Sequence, residues 1–377
     1  MLILAAILGI FVYGVVATTW GSVLSPTLNF EPSVNGNIAM WNAVGLVVAS
    51  MAVGPLIDLK GKKAALLAGL ALISICFWAL PGVGNDPGMV RVLLTGLGLG
   101  GGIVVTGANA LVSDVSESRR GSMLNLLNLF FGLGGLLTPL IKTDVLGDSA
   151  VAMCYVAAAM ATIALVVNAM APMPKPTGER GFKASEIGVV VGRPALYLLA
   201  LFLFLYVACE VGVWNWLVEY LTKVRGLETG TAQHILALGF ALGLLIGRIV
   251  VSRLLINISA LQVTLGAAVA MAITTFWMLQ STSPSAAWVA VFCAGMAMAP
   301  MFPTTLAMVG DAFPRMTATA MGIVITSGWL GLVVSSPLIG DIAHSQNLGT
   351  ALLIIPGASA LMILVNLALR PALKKSA

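Results

Sequence analysis

About a dozen apolar stretches run along this 377-residue chain, each unbroken by charge and long enough to cross a bilayer. Met1 to Leu28 contains no charged residue, and neither does Ala64 to Val83. A helix needs about 20 apolar residues to span the hydrocarbon core, and in lipid its backbone groups must bond within the helix itself. Only 9% of the residues are charged and 59% are hydrophobic, whereas a soluble domain carries about 25% charge. The fold class that follows is an all-α integral membrane protein.

Glycine is abundant, with 41 residues, and falls inside the apolar runs, as in Gly96, Gly98, Gly100, Gly101 and Gly102. In water that would argue against helix; in a membrane, small residues let helices approach closely. The Gly96–Gly102 run lacks a Lys-Ser/Thr ending and a preceding strand, so it is not a nucleotide loop. No ATP site, metal or other cofactor is expected. Cys76, Cys154, Cys209 and Cys293 each sit within an apolar run and give no disulfide framework or metal spacing. His234 and His344 have no partner at metal spacing. The net charge of +5 is scattered through short loops, so no nucleic-acid partner is implied. The first run lacks a charged n-region and is followed at once by similar runs, so a first span is expected rather than a cleaved signal.

The apolar runs predict helices over 2–28, 37–57, 63–83, 89–113, 119–142, 149–171, 194–222, 231–255, 259–280, 286–309, 315–340 and 349–370. Breakers such as Pro81-Gly82 and Asn85-Asp86-Pro87-Gly88 separate them. Of the 19 Lys and Arg residues, only Arg91, Lys142, Lys223 and Arg225 fall in one set of loops. The positive-inside bias therefore places the other set, and both termini, in the cytoplasm. The Pro-, Gly- and charge-rich segment 172–193 lies almost midway, dividing the chain into an N-terminal six-helix bundle (1–171) and a C-terminal one (194–377). The halves echo one another. Thr138-Pro139-Leu140-Ile141 recurs as Ser336-Pro337-Leu338-Ile339, and Asp114 before Arg119-Arg120 recurs as Asp311 before Arg315. GPLIDLKGKK (54–63) has a degenerate counterpart in GRIVVSRLL (247–255). Two such halves make a transporter architecture, with the solute site at midplane between them.

Gly54-Pro55-Leu56-Ile57-Asp58-Leu59-Lys60-Gly61-Lys62-Lys63 resembles the loop signature of the major facilitator superfamily. With twelve spans and the half repeat, the resemblance covers essentially the whole chain. It implies the major-facilitator fold, two pseudo-symmetric six-helix bundles that rock about a central cavity. It also implies that Asp58 and the cations after it latch the cytoplasmic ends; as topology signals alone, Lys60, Lys62 and Lys63 would be ordinary positive-inside residues. Asp114, Arg119 and Arg248 are assigned to the same gating set. Within the superfamily the chain is most similar to the fucose/hexose (glucose/galactose) symporter group. The similarity rests on Ser122-Met123-Leu124-Asn125-Leu126-Leu127-Asn128, on Tyr206-Val207-Ala208-Cys209-Glu210-Val211, and on Met301-Phe302-Pro303-Thr304. Two departures matter. That group carries acids late in its first span and before the Ala-Asn of its fourth, where this chain has Gly21-Ser22 and Val105.

An ionisable group near the bilayer centre is a functional candidate by default. Glu210 is the one acid deep within a predicted span, about 16 residues or ~24 Å from the span's start. Tyr206 and Trp214 lie four residues to either side, on one helix face. An acid held there suits coupling by proton gain and loss; a hydrogen-bonded structural glutamate is the competing reading. Asn125 and Asn128 share a face of the fifth span, and their amides fit neutral polyols or tie helices together. Trp20, Trp41, Asn42, Asn215 and Trp329 are further candidate solute contacts, since aromatic planes stack on sugar rings, although tryptophans near span ends also form the interfacial belt. Pro300, Pro303 and Pro337, with Gly239, Gly243, Gly322 and Gly331, supply places to bend or slide.

The combined reading is a secondary active or facilitative transporter, not an enzyme. It would move a small polar solute, foremost a monosaccharide, by alternating access, as a monomer in a bacterial inner membrane. A proton or sodium ion is the expected co-substrate. A proton-driven exporter of hydrophobic or amphiphilic compounds is the alternative, to which the 18 methionines would be suited as adaptable contacts. A non-transporting receptor or assembly subunit is disfavoured because no sizeable soluble domain is present.

Overall fold

The computed structural model describes residues 1–28, 30–173 and 187–374. Among the described residues there is no strand, and twelve helices are long and apolar enough to cross a membrane. They are α1 (Leu2–Leu24), α2 (Val34–Lys60), α3 (Lys62–Gly82), α4 (Pro87–Val115), α5 (Glu117–Val145) and α6 (Ala150–Met170) in the first half. The second half holds α7 (Pro194–Val224), α8 (Thr229–Leu254), α9 (Ala260–Gln280), α10 (Pro284–Ala312), α11 (Thr317–Ser345) and α12 (Leu348–Leu373). All twelve expected spans are present, with ends moved by a few residues. Most of the 172–193 segment, with Lys175, Arg180 and Lys183, lies outside the described residues, as does Lys375.

Local chemistry sets the helix ends. Asp86 caps α4 by accepting from Gly88 N at 2.8 Å, and Pro87 fills the first helical position, where no N–H is needed. Ser259 and Gln262 form a reciprocal capping box at the start of α9. Ser149 and Ser283 cap α6 and α10. Between α2 and α3 the chain turns through Gly61, whose φ of 91° is open to glycine and strained for any other residue. Pro55, Pro139 and Pro337 lie inside helices. At Ala299–Pro300 the tenth span breaks into Pro284–Met298 and Met301–Ala312, because proline removes a backbone donor and crowds the preceding turn. Wide π-helical turns interrupt α1 at Thr19–Leu24, α5 at Ile141–Val145, α7 at Tyr220–Val224 and α8 at Ile235–Phe240.

The chain forms two compact units. The first comprises Met1–Glu117, Leu127–Val191 and Phe313–Thr326; the second comprises Ser118–Leu126, Gly192–Ala312 and Ser327–Ala377. The beginning of α11 thus belongs with first-half helices, and the beginning of α5 with second-half helices.

Within the first unit, the α4 glycines pack against two neighbours. Gly98 and Gly102 face the α2 backbone at Asn42 and Leu46, and Gly100 faces Gly69 and Ile73 of α3. Side chains there would force the helices apart, and close approach is what drives helix association in lipid. The same device joins α2 to the start of α11. A Cβ on Gly54 would lie 2.6 Å from the Ala318 carbonyl oxygen, and one on Gly322 would lie 2.5 Å from that of Ser50. The obstructing atoms are backbone, so neither helix can yield locally. Gly54→Ala is therefore expected to destabilise this contact by about 1–3 kcal/mol, the usual cost of overpacking. A lowered unfolding midpoint in detergent would register it; an unchanged midpoint would show that α2 and α11 separate freely.

Candidate solute site and gating contacts

Of the residues expected to gate, Asp58, Lys60, Lys62, Lys63 and Asp114 lie in the first unit, whereas Arg119 and Arg248 lie in the second. Asp58 is buried at 2% exposure. One carboxylate oxygen accepts from Thr319 N at 2.8 Å and from Thr319 Oγ1 at 2.7 Å. The other accepts from Ala318 N at 3.4 Å. Ala318 and Thr319 lie in the first turn of α11, where backbone N–H groups have no intrahelical acceptor and the helix dipole favours an anion. Asp58 thus acts as a cap supplied by another helix.

The basic residues beside it have separate tasks. Lys62 pairs with Asp114 at 2.7 Å, bracing the start of α3 against the end of α4. Lys63 donates to the Ala171 carbonyl at 3.1 Å, just past the end of α6, where C-terminal carbonyls need donors. Lys60 and Arg119 are exposed. The adjacent Arg120 is the buried one, and in the second unit it forms an ion pair with Asp311 at the end of α10. Arg193 adds a bond to the Ala312 carbonyl at 3.4 Å. Sequence reasoning did not select Arg120, Thr319 or Asp311 as gating groups. The Asp114/Asp311 echo was the available signal: one copy pairs within its own half of the chain, the other with a residue of the opposite half.

Deeper in the second unit, α7 and α8 carry an ionisable group of three. Tyr206 is fully buried, and its hydroxyl lies within electrostatic reach of the Glu210 carboxylate and the Arg248 guanidinium. Glu210 itself is half-buried, and Arg248 is buried at 4% exposure. Arg248, expected among the gating residues, acts on Tyr206. Glu210 and Arg248 thus bear on the same buried hydroxyl with opposite charge. One helical turn on, Trp214 is partly exposed and meets Phe240 of α8 edge-to-face, with ring centroids 5.2 Å apart. Asn215 beside it is exposed. Trp329 of α11 is half-buried and lies 6.4 Å from the Phe302 ring of α10.

The two α5 asparagines have different partners. Asn128 donates to Asn109 Oδ1 of α4 at 2.9 Å, and Asn109 in turn donates to its own helix at the Val105 carbonyl. This amide chain belongs to the first unit. Asn125, fully buried, donates to the Gly121 carbonyl and to Thr304 Oγ1 of α10 at 3.0 Å, inside the second unit. Asn42 donates to the Leu94 carbonyl at 2.8 Å and so joins α2 to α4. Trp41 is exposed, and Trp20 is half-buried within the π-helical turn of α1. A stacked Tyr13–Phe131 pair, 5.1 Å between centroids, joins α1 to α5. Neither ring stands out in the sequence, because aromatic residues recur within the same apolar runs, Phe11 and Trp20 in the first and Phe130 in the fifth.

The comparisons agree with this architecture. The sequence profile of the Major Facilitator Superfamily matches residues 2–336 and 228–376. The mouse Sodium-dependent glucose transporter 1A is 24% identical over 383 residues, covering 85% of this chain and 85% of the relative. Among solved structures, FucP in the outward conformation superimposes with a TM-score of 0.84 at 17% identity, over 97% of this chain and 98% of that one. The proton:xylose symporter XylE, bound to a bromodeoxyglucose, gives a TM-score of 0.79 at 15% identity, over 96% and 94%. At such identities the two structures speak for the fold. The profile spans most of the sequence, and with it the chain belongs to the Major Facilitator Superfamily: an integral membrane transporter, not an enzyme.

Proposed function

We propose that the chain is a proton-coupled transporter of a small neutral polar solute, a monosaccharide in the first instance, working by alternating access. The observation that carries the reading is the setting of Glu210, an acid inside α7 that faces the buried Tyr206, on whose hydroxyl the buried Arg248 also acts. A carboxyl so placed can exchange a proton for its attraction to Arg248, and a solute contacting the same face senses which partner it holds. A ligand drives a conformational change only through different affinities for the two states, and a protonatable acid beside a fixed cation supplies such a difference. Trp214, Asn215 and Trp329 would form the solute contacts of the second half; Trp20, Trp41, Asn42 and Asn128 those of the first. Asn125 would join them when its bond to Thr304 opens.

The related proteins point the same way. FucP is the E. coli fucose:proton symporter and XylE a proton:xylose symporter. The mouse relative is sodium-dependent, which makes sodium the competing ion. The functional halves would be residues 1–171 and 194–377 joined by the 172–193 linker, with both termini cytoplasmic. The protein would act as a monomer in a bacterial inner membrane. Asp58, its cap on α11, and the Arg120–Asp311 pair would be the contacts that break as the halves rock.

Reconstitution into proteoliposomes tests this directly. Labelled hexoses are expected to accumulate when an inward proton gradient is imposed, with saturation and without a sodium requirement. Accumulation that follows sodium alone would replace the ion. Dye efflux without any hexose flux would replace the reading with that of an exporter.

A further inference from the structure

Where α9 begins and α12 ends, the second unit carries a hollow of about 420 Å³ beside the capping box of α9. This volume falls within the range of small-molecule sites. It is lined by the polar Ser259, Gln262, Asn366 and Arg370 and by the apolar Leu261, Leu265 and Leu367. The floor is fixed by Asn366, which donates to Thr264 Oγ1 at 2.7 Å between two buried side chains. That bond ties α9 to α12 beside the hollow.

The charge at the rim is positive. Arg370 is exposed and has no ion-pair partner among the described residues. The opposite wall is the N-terminal end of a 21-residue helix, which adds a partial positive charge of its own. Beneath the rim the surface turns apolar. Val269 and Ile273 continue the line of Gln262 and Leu265 down α9 at helical spacing, and they are 39% and 63% exposed. A cationic rim at the membrane face, with an open apolar strip leading from it into the membrane, has the polarity profile of a single lipid molecule.

We propose that this hollow binds an anionic glycerophospholipid, its phosphate held by Arg370 and its acyl chains lying along Val269 and Ile273. Basic pockets between transmembrane helices recognise anionic headgroups in this way. The acyl strip distinguishes a lipid from free phosphate, which would gain nothing from it. The inference is independent of which solute the protein carries.

Native mass spectrometry of the full chain in detergent tests it, with phosphatidylglycerol, phosphatidylcholine and inorganic phosphate as the probes. One phosphatidylglycerol is expected to stay bound where phosphatidylcholine is lost, and inorganic phosphate is not expected to displace it. Arg370→Gln should weaken that adduct roughly tenfold, the scale of one charge-assisted contact, and Arg370→Lys should restore most of it. Leu265→Trp, which fills the apolar wall, should weaken it without touching the charge. Arg370 is exposed, so its variants leave the fold intact. Equal retention of phosphatidylcholine, displacement by phosphate, or an unchanged adduct in Arg370→Gln would each overturn the proposal.

Discussion

Asp58→Asn is expected to release the start of α11 and to reduce solute transport by more than tenfold. The carboxylate accepts from two backbone N–H groups and one hydroxyl, and hydrogen bonds to charged groups contribute about 1.5–3 kcal/mol each. Asparagine keeps the shape but loses the charge that the helix end attracts, and its amide nitrogen would face donors rather than acceptors. Part of the gain is offset by the cost of burying the carboxylate, so a net loss of about 2–3 kcal/mol is expected. At 1.4 kcal/mol per tenfold, that shifts the balance between latched and released arrangements by roughly 30- to 150-fold. Spin labels at the exposed positions Lys60 and Arg315, in a cysteine-free background, should show one dominant distance in the parent. In Asp58→Asn they should show a longer, broader population. An unchanged distance distribution together with unchanged uptake would mean that Asp58 is a static cap rather than a latch. The degenerate counterpart loop has Val251 where this acid would fall, so the second half contributes no matching carboxylate.

The fold was legible because two physical constraints act on every residue of a span. Hydrocarbon thickness fixes the length of each helix, and the absence of water forbids open backbone. The ends were less so. α2 and α10 each extend beyond the expected apolar runs, at Val34–Lys60 and Pro284–Ala312, because Asp58 and Asp311 find partners at the helix ends that let a charge remain helical. Pro300 was expected to bend its span and does so, since a missing donor is a local property. The π-helical turns of α1, α5, α7 and α8 had no sequence signature: they widen the helix without requiring a special residue.

The candidate site was legible residue by residue but not pair by pair. Glu210 and Asp58 stood out because a charge in or beside an apolar run is costly wherever it points. Which of Arg119 and Arg120 turns inward depends on one helical step of about 100°, and no neighbouring charge in the sequence breaks that tie. Arg248 was grouped with the loop cations by its position near a span end. Its approach to Tyr206 depends on how α8 packs against α7, a tertiary fact. The asparagines of α5 show the same limit. Three residues apart, they share a face by helical periodicity, yet Asn128 bonds to Asn109 of α4 and Asn125 to Thr304 of α10.

Glu210→Gln is expected to abolish gradient-driven accumulation while leaving solute exchange intact. One proton carried per solute converts each pH unit of gradient into about 1.4 kcal/mol, enough for tenfold accumulation. With the carboxyl replaced by an amide of the same size, no proton is carried, and the solute should equilibrate to a ratio near one at any imposed pH. Exchange of labelled for unlabelled solute needs only that the loaded protein change state, so it should proceed at a rate within a few-fold of the parent. The buried Tyr206 hydroxyl then loses the carboxylate it faces, and an interaction of a buried polar group with a charge contributes about 1.5–3 kcal/mol. A lowered unfolding midpoint should therefore accompany the loss of coupling. Glu210→Asp, which keeps the charge, should recover part of both. The two readouts separate the competing roles of this residue. A structural glutamate would lose stability and exchange together, whereas a coupling acid loses accumulation first. If the amide variant still concentrates solute tenfold per pH unit, the proton travels by another group, and Glu210 serves only to hold the buried Tyr206 in place.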